Sequence, residues 1–390
     1  MIAILTTRGA YAVDALVASG LVALGAPDAE AWQLPPYACP YGLPVARGAD
    51  TVLVVSSWLR GLDGGTADPI EVLSGLARRF RVIGLDHSDA FALDFSDAEI
   101  RLMERVLKVN GVYTDAKLYN HVVGAQTPDG RWTELLEPRP VPYSSDSLAK
   151  LRPSLPCFVG AAPWLRRRTR LLYGHSLPQR VLRGWADSLS ERRQAPPPQS
   201  RSPRRGVHFR GALTHMQRRD ALRRLAAEGV DHVGGLTHIP RAIAGYEGSG
   251  LRWLSPAERE ALRASLLRER LLSRPKNRLS YLRELRGAKV VLSIVGYGEL
   301  CFRMAEAWAE GRVLVCQDLS HARVLYPLQA GRNAVFCRPD LSDLAAVLRE
   351  VTEDFERYRE IGAQGYEDWR RYLSELPQHL AQAFEGLTVS

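Results

Sequence analysis

At 390 residues with 46% hydrophobic content, the chain is too long for one ordinary domain and apolar enough to pack two. Five scattered cysteines (Cys39, Cys157, Cys301, Cys316 and Cys337) without a C-x-x-C pair exclude a disulfide framework or a cysteine zinc site and predict a reducing compartment. The net charge of +9 excludes a generally basic protein, because all of it lies between Trp164 and Gly206, where eleven Arg face two acids.

In chain order, residues 2–6 read as a buried first strand, and residues 11–24 as a helix after the turn Thr7-Arg8-Gly9-Ala10. Residues 27–49, rich in Pro, Gly and Ala, read as loop. Residues 51–56 are a strand. Asp68 caps the next helix with Pro69 at its first position. Residues 80–85 are a strand that runs into Asp86-His87-Ser88-Asp89. Residues 96–102 are helical. Residues 106–113 are apolar and β-rich, interrupted by Lys108, Asn110 and Gly111. Residues 156–160 form the last strand. The alternation predicts a parallel, doubly wound sheet. Its strand ends open onto a cleft, which is where Thr6 to Gly9 and the loop after residue 85 are expected.

Residues 165–189 read as two basic amphipathic helices, split at Gly174-His175-Ser176-Leu177-Pro178. Residues 191–206 carry four Pro and five Arg and read as a linker. A second α/β unit begins at Val207, with a helix over 220–228 stopped by Gly229, a strand over 230–233 and a helix over 256–274. Residues 348–384 are mostly helical, with a break at Pro377.

The most informative stretch lies inside that second unit. Residues 290–295 read as a strand buried on both faces. Gly296 and Gly298 permit a tight turn with exposed backbone N–H groups. A helix over 299–310 follows, stopped by Gly311, and residues 313–316 form the next strand. This strand–loop–helix–strand unit points the positive end of a helix dipole at a place where a phosphate can sit. Cys301 stands where a dinucleotide fingerprint needs its third glycine, so a nicotinamide or flavin cofactor is not expected. Glu299, Arg303, Glu306 and Glu310 form one polar stripe, either lining a cleft or solvated with Glu299 paired to Arg303.

Several motifs in order now carry a resemblance. They are Phe209-Arg210-Gly211, Arg218-Arg219, Ser280-Tyr281-Leu282-Arg283-Glu284-Leu285, the Gly-x-Gly loop, Arg303-x-x-Glu306-Ala307, Gly311, a strand ending in Asp318, and Asp340-Leu341-Ser342-Asp343-Leu344. Over residues 205–365 the chain resembles the donor half of GT-B glycosyltransferases, and most of all the exostosin-like families. The first half is similar only in its strand–helix rhythm. The resemblance implies two Rossmann-like domains facing a cleft. They would be an acceptor-side domain over 1–195, a linker over 196–206, a nucleotide-sugar domain over 207–365, and a terminal helix over 366–390 crossing back to the first domain. It further implies that Gly296, Tyr297 and Gly298 meet the donor diphosphate, that Arg303 faces that phosphate, and that Glu306 holds the ribose hydroxyls. The residue types suit those roles: a guanidinium pairs with a phosphate oxygen, and a carboxylate accepts from vicinal hydroxyls.

Further candidates carry two readings each. Arg210 and Gly211 end a strand at the cleft and either bind a phosphate or make a surface turn. His238 sits by the donor base or is structural. Asp318 binds sugar hydroxyls or caps a turn. Arg218 and Arg219 read as a solvated helix face, and Ser280 and Tyr281 as packing for the helix before the core strand. No Asp-x-Asp occurs, which argues against a metal-dependent GT-A enzyme, and no metal site or resident cofactor is expected. The expected activity is metal-independent transfer of a hexose or pentose from a nucleotide-diphosphate sugar, a UDP-sugar foremost, to an acceptor hydroxyl. The basic segment over 164–206 either meets an anionic acceptor (nucleic acid, a lipid carrier or a polysaccharide) or is a solvated, flexible connector. Asp86, His87 or Asp89 supplies the catalytic base, or else the Asp and Ser residues of the loop after residue 85 cap a turn or helix. The rivals are an epimerase of the same fold, a glycosyltransferase that modifies a hydroxylated nucleic-acid base, and a non-catalytic GT-B or nucleic-acid-binding protein. With no leader and no apolar span of about 18 residues, the protein is expected in the cytoplasm, with its basic segment free to lie at a membrane surface.

Overall fold

The computed structural model describes residues 2–6, 31–33, 51–56, 59, 68–86, 93–122, 137–138, 141–154, 203, 205–244, 251–324 and 328–375. The expected helix over 11–24, the strand over 156–160 and the two basic helices lie outside these residues.

The first half builds strands β1 Ile2–Thr6, β2 Ala31–Gln33, β3 Thr51–Val55, β4 Arg81–Asp86, β5 Arg105–Lys108 and β6 Val112–Tyr113. A short antiparallel pair, β7 His121–Val122 with β8 Glu137–Pro138, precedes β9 Leu151–Pro153. Six of these form one parallel sheet in the order β2-β1-β3-β4-β5-β9. Every residue of β3 is buried, as an apolar strand covered on both faces requires. Helix α1, Pro69–Ala77, starts as expected, with the Asp68 Oδ1 accepting from Ile70 N at 2.9 Å. Helix α2, Asp97–Arg101, is set by a capping box between Ser96 and Glu99. The expected strand over 106–113 is split. Asn110 (φ 73°) and Gly111 (φ 124°) turn the chain out of β5 and into β6. Helix α3, Ser145–Ala149, leads into β9, which forms the edge of the described sheet.

The second half contains β10 Arg205–Gly211, β11 His232–Leu236, β12 Ala242–Ala244, β13 Leu251–Trp253, β14 Ala288–Ser293, β15 Val313–Gln317, β16 Ala322–Arg323 and β17 Val335–Cys337. Its parallel sheet runs β11-β10-β14-β15-β17. The helices are α4 Met216–Ala227, α5 Pro256–Arg268, α6 Arg278–Arg286, α7 Phe302–Ala309, α8 Leu344–Glu353 and α9 Phe355–Ser374. The expected linker is cut short, because β10 already begins at Arg205. In both sheets the strand order reverses once, between β1 and β3 and between β10 and β14. In open parallel sheets that reversal is where ligands bind, beyond the carboxyl ends of the strands.

Of the terminal helix expected over 366–390, residues 366–374 complete α9 and pack against α7, and residues 376–390 lie outside the described residues. Trp369 lies against Trp308 with ring centroids 5.8 Å apart, and Asp368 accepts from Arg332 and Asn333. Gly365 makes the approach possible, since a Cβ there would meet Trp308 Cδ1 at 2.6 Å. The two halves also join through a small antiparallel ladder between β6 and β16, extended by Thr114, whose N and Oγ1 both donate to His321 O at 2.9 Å.

Candidate active site

The reversal between β10 and β14 brings together two sharp chain exits: Gly211 at the end of β10, and residues 294–301 after β14. The second is longer than expected. Helix α7 starts at Phe302, not at residue 299, because the chain first wraps a buried guanidinium. Arg218, on α4, donates from Nε to Val295 O at 2.9 Å and from Nη2 to Ile294 O at 3.1 Å. Its Nη1 reaches Ala212 O at 3.0 Å, and Nη2 also lies 3.3 Å from the Cys301 sulfur. Gly296 is needed there: a Cβ would stand 2.6 Å from Arg218 Nη2 and 3.0 Å from Thr214 Oγ1. Burial pulls the Arg218 pKa down to about 10 against the opposing pull of Cys301, and Arg303 adds to the drop. Gln317 fixes the other side of the loop. Its Oε1 accepts from Val295 N at 2.9 Å, and its Nε2 donates to Gln217 Oε1 and Pro339 O.

Arg303 rises from the first turn of α7 and crosses to the end of β10. Its Nη2 donates to Arg210 O at 2.8 Å, and its guanidinium carbon lies 4.6 Å from the centre of the Phe209 ring. Gly211 leaves the room, since a Cβ there would sit 2.4 Å from Arg303 Nη2. Arg303 is only 7% exposed, yet its Nε and Nη1 are buried with no hydrogen-bond partner. The buried Thr214 Oγ1, beside Gly296, also has none. Buried polar groups are ordinarily answered by a protein group, a water or a ligand, so these atoms have bonding capacity to offer. The N-cap of α7, Cys301, makes no side-chain capping bond to the first-turn N–H groups.

The other expected residues are placed as follows. Arg210 turns away from the glycine loop into an ion pair. Its Nη2 lies 2.8 Å from Glu284 Oε1, and its Nη1 donates to Ser273 Oγ and Arg274 O. Lys276 Nζ holds the second Glu284 oxygen at 2.6 Å. Burial pushes the Glu284 carboxyl up, but bonds from Lys276 and Arg210 outweigh it, and its pKa ends below the usual range. Tyr297 donates its hydroxyl to Ala242 O at 2.9 Å, tying the loop to the β12–β13 hairpin. Gly298 is buried, and its carbonyl accepts from Gly296 N at 2.9 Å. His238 is exposed beside Thr237, and its own carbonyl accepts from Leu213 N at 2.9 Å in the loop after Gly211. Glu306 is half-buried and accepts from the Tyr281 hydroxyl. Asp318 caps a turn, its Oδ1 accepting from Ser320 N at 2.8 Å.

Of the expected base candidates, Asp86 is fully buried and committed. Its Oδ1 is 3.1 Å from Lys108 Nζ, which is also fully buried, and its Oδ2 accepts from Asp94 N at 2.7 Å. His87 and Asp89 lie outside the described residues. Among the described residues no cluster of His, Cys, Asp and Glu is arranged to hold a metal ion, and no helix is long and apolar enough to cross a membrane.

Sequence reasoning missed the weight carried by Arg218, Thr214 and Gln317. Arg218 reads as a solvated helix residue by spacing, and only the converging carbonyls of residues 294 and 295 show otherwise. Gln317 carried a usable signal: a polar residue closing an otherwise apolar strand has to find buried partners.

Two doubly wound parallel units, each with its strand reversal opening toward a cleft, define the GT-B fold. Among solved structures, the chain is similar to HepE (Alr3699) of Anabaena, crystallised with UDP and glucose, at a TM-score of 0.52 and 12% identity over 99% of each chain. It is also similar to sucrose-phosphate synthase of Thermosynechococcus elongatus, at a TM-score of 0.43 and 12% identity over 87% of this chain and 73% of that one. The catalytic domain of starch synthase IV from Arabidopsis thaliana, bound to ADP and acarbose, gives a TM-score of 0.42 and 11% identity over 86% and 73%. The HepE likeness is one of fold. No family model and no curated protein matches the sequence.

Proposed function

We propose that the chain is a glycosyltransferase that moves a sugar from a nucleotide-diphosphate sugar to an acceptor hydroxyl. The observation that carries this reading is the buried, unanswered Nε and Nη1 of Arg303 at the strand reversal of the second sheet. A buried cation with only a backbone carbonyl and an aromatic ring for company is costly, and an anion in reach of it relieves the cost. A diphosphate fits the position, because the α7 N-terminus adds uncapped N–H groups and the positive end of a helix dipole. As the glycosidic bond breaks, negative charge grows on the leaving diphosphate. Arg303, Thr214 and the loop amides would stabilise it without reorganising.

The finer assignment follows the motifs. The Phe209-Arg210-Gly211 and Arg303-x-x-Glu306 pattern supports an exostosin-like enzyme with a hexosyl or pentosyl donor. HepE, which shares the fold, was crystallised with UDP and with UDP-glucose, which supports a UDP-sugar. We assign residues 1–195 to the acceptor side and 207–365 to the donor, with chemistry that needs no metal. The basic segment over 164–206 would take an anionic acceptor. His87 and Asp89 remain the base candidates, and Asp86 is set aside because its carboxylate is held by Lys108.

The test is a thermal-shift and calorimetry panel of UDP-, GDP- and ADP-sugars on wild type and Arg303→Ala. A ligand that binds only the native state must raise its stability. One nucleotide class should raise the melting temperature of wild type, in EDTA as well as without it. Arg303→Ala should bind that ligand roughly 10–100-fold more weakly, from the loss of a charge-assisted contact of about 1.5–3 kcal/mol. Equal binding by both proteins, or no binding by wild type, refutes the reading.

A further inference from the structure

The chain that leaves β4 returns to the same strand end. Asp86, the last residue of β4, is fully buried, and its Oδ2 accepts from Asp94 N at 2.7 Å and from Phe95 N at 3.4 Å. Its Oδ1 faces the equally buried Lys108 Nζ. Ser56, the first residue beyond β3, is also fully buried and donates from Oγ to Asp94 Oδ2 at 3.0 Å. Phe95 is fixed again through its carbonyl, which accepts from the Tyr143 hydroxyl at 2.9 Å, and Ser96 then opens α2 with its capping box. Asp94 is held at its backbone and at its carboxylate by buried groups, yet it is itself exposed.

Strands β3 and β4 pair side by side up to Val55 and Leu85, and β3 borders the strand reversal of the first sheet. Ser56 and Asp94 therefore stand at the carboxyl edge, where open parallel sheets bind ligands. The same corner reaches the donor loop. Burial raises the pKa of the Tyr119 hydroxyl, and the charges of Asp86 and of Glu299, in the loop before α7, add to the rise. A buried ion pair such as Asp86 with Lys108 stabilises a fold little better than well-packed apolar residues do. Here its carboxylate is directed at the two N–H groups that fix the backbone of an exposed aspartate. Buried partners that lock one exposed side chain are what keeps a reactive group in productive geometry.

We propose that Asp94 is the catalytic base of the transfer, held in place by Ser56 and Asp86. The inference rests on the donor-site reading above. In the step it serves, the acceptor oxygen forms a bond to the anomeric carbon as the bond from that carbon to the diphosphate oxygen breaks. The electron pair of the broken bond leaves with the diphosphate, which Arg303 faces. The acceptor's hydroxyl proton passes to Asp94 and from there to water. A single displacement of this kind inverts the anomeric centre. The Ser56 bond selects one rotamer of the aspartate. A carboxylate has about four acceptor sites, so that bond is compatible with another from an acceptor hydroxyl.

The experiment uses the full chain and, as donor, whichever of UDP-glucose, GDP-mannose and ADP-glucose binds wild type by calorimetry. The acceptors are water and added methanol, whose methyl glycoside keeps its anomeric configuration for reading by NMR. Wild type should release sugar slowly and form the inverted glycoside. Asp94→Asn should cut both reactions by about 10²–10⁴-fold, with donor affinity and melting temperature close to wild type. Asp94→Ala should fall as far and regain turnover in sodium formate, a small carboxylate that restores a missing base but not a missing scaffold contact. The inference is overturned if Asp94→Asn keeps its turnover, which would return the role to His87 or Asp89. A glycoside of retained configuration, or no rescue by formate, overturns it as well. So does wild type that binds a donor and never cleaves it, because an oriented base beside a bound donor has water as a substrate. If no nucleotide sugar binds wild type, the donor-site reading itself fails and takes this inference with it.

Discussion

Gly211→Ala tests the donor site without touching any charged group. Gly211 does not use a left-handed backbone, so alanine suits its conformation. The obstacle is one atom: the new Cβ would stand 2.4 Å from Arg303 Nη2, against the 3.4 Å at which ordinary contact begins. The guanidinium must retreat by about 1 Å, and it can, because it is the far end of a flexible side chain. Retreat stretches the 2.8 Å bond to Arg210 O and shifts the cation off the Phe209 ring. A lost bond of this type is worth about 1.5–3 kcal/mol, and relaxation returns part of it, so the fold should lose roughly 1 kcal/mol. Binding should lose more. A misplacement of about 1 Å in a positioned group costs up to ~10²-fold, so donor affinity should fall roughly 10–100-fold. The control is Gly331→Ala. Nothing lies within 4 Å of a Cβ there, but its φ of 73° makes alanine cost about 1–2 kcal/mol of backbone strain. Urea denaturation and calorimetry on both variants separate the two effects. The reasoning fails if Gly211→Ala binds its nucleotide like wild type, or loses no more affinity than Gly331→Ala.

Two further outcomes follow from buried charge. Asp86→Asn leaves the fully buried Lys108 ammonium without its carboxylate and should destabilise the fold by about 3–5 kcal/mol in urea titrations; a variant that keeps its stability but loses turnover would restore Asp86 as a base. His208, His215 and His321 are each pulled to about 4, mainly by burial. The unfolded chain takes up protons as pH falls through about 6.5 while the native state does not until about 4, so stability should fall across that window by up to about 1.4 kcal/mol per pH unit per histidine. His215→Asn should reduce the slope and preserve the α4 cap that His215 Nδ1 now makes with Gln217 N. Flat stability between pH 6.5 and 4.5 would show that these rings are not held neutral.

Local signals explain what was legible. Asp68 with Pro69, and Ser96 with Glu99, announce helix starts because a cap is made by residues within one turn of each other. Apolar runs announce β3, β4, β14 and β15 because a strand covered on both faces has little room for polar residues. Where the reading failed, the deciding partner was remote. Helix α7 begins three residues late because the carbonyls of residues 294 and 295 turn toward Arg218, far upstream in the chain. Strand β9 escaped notice because it is three residues long, with Arg152 exposed and Pro153 at its end.

The sequence Phe209-Arg210-Gly211 offers either a phosphate-binding arginine or a surface arginine with a turn glycine, and the geometry gives Arg210 a carboxylate partner, Glu284. Arg210 and Arg303 are similarly buried at the same strand reversal, at 9% and 7% exposure. Arg210 has a carboxylate, a hydroxyl and a carbonyl within bonding distance, so its charge is already answered. Arg303 has one backbone carbonyl and an aromatic ring. Only Arg303 gains from an anion. Each residue of the motif touches Arg303: Phe209 supplies the ring it lies on, Arg210 the carbonyl that aims it, and Gly211 the space it occupies. The Arg210–Glu284 ion pair then has a task of its own, since it anchors the strand end that carries this carbonyl. An arginine at such a strand end leans to scaffold when a carboxylate lies within its reach, and a scaffold role is what we propose for Arg210 beside Glu284.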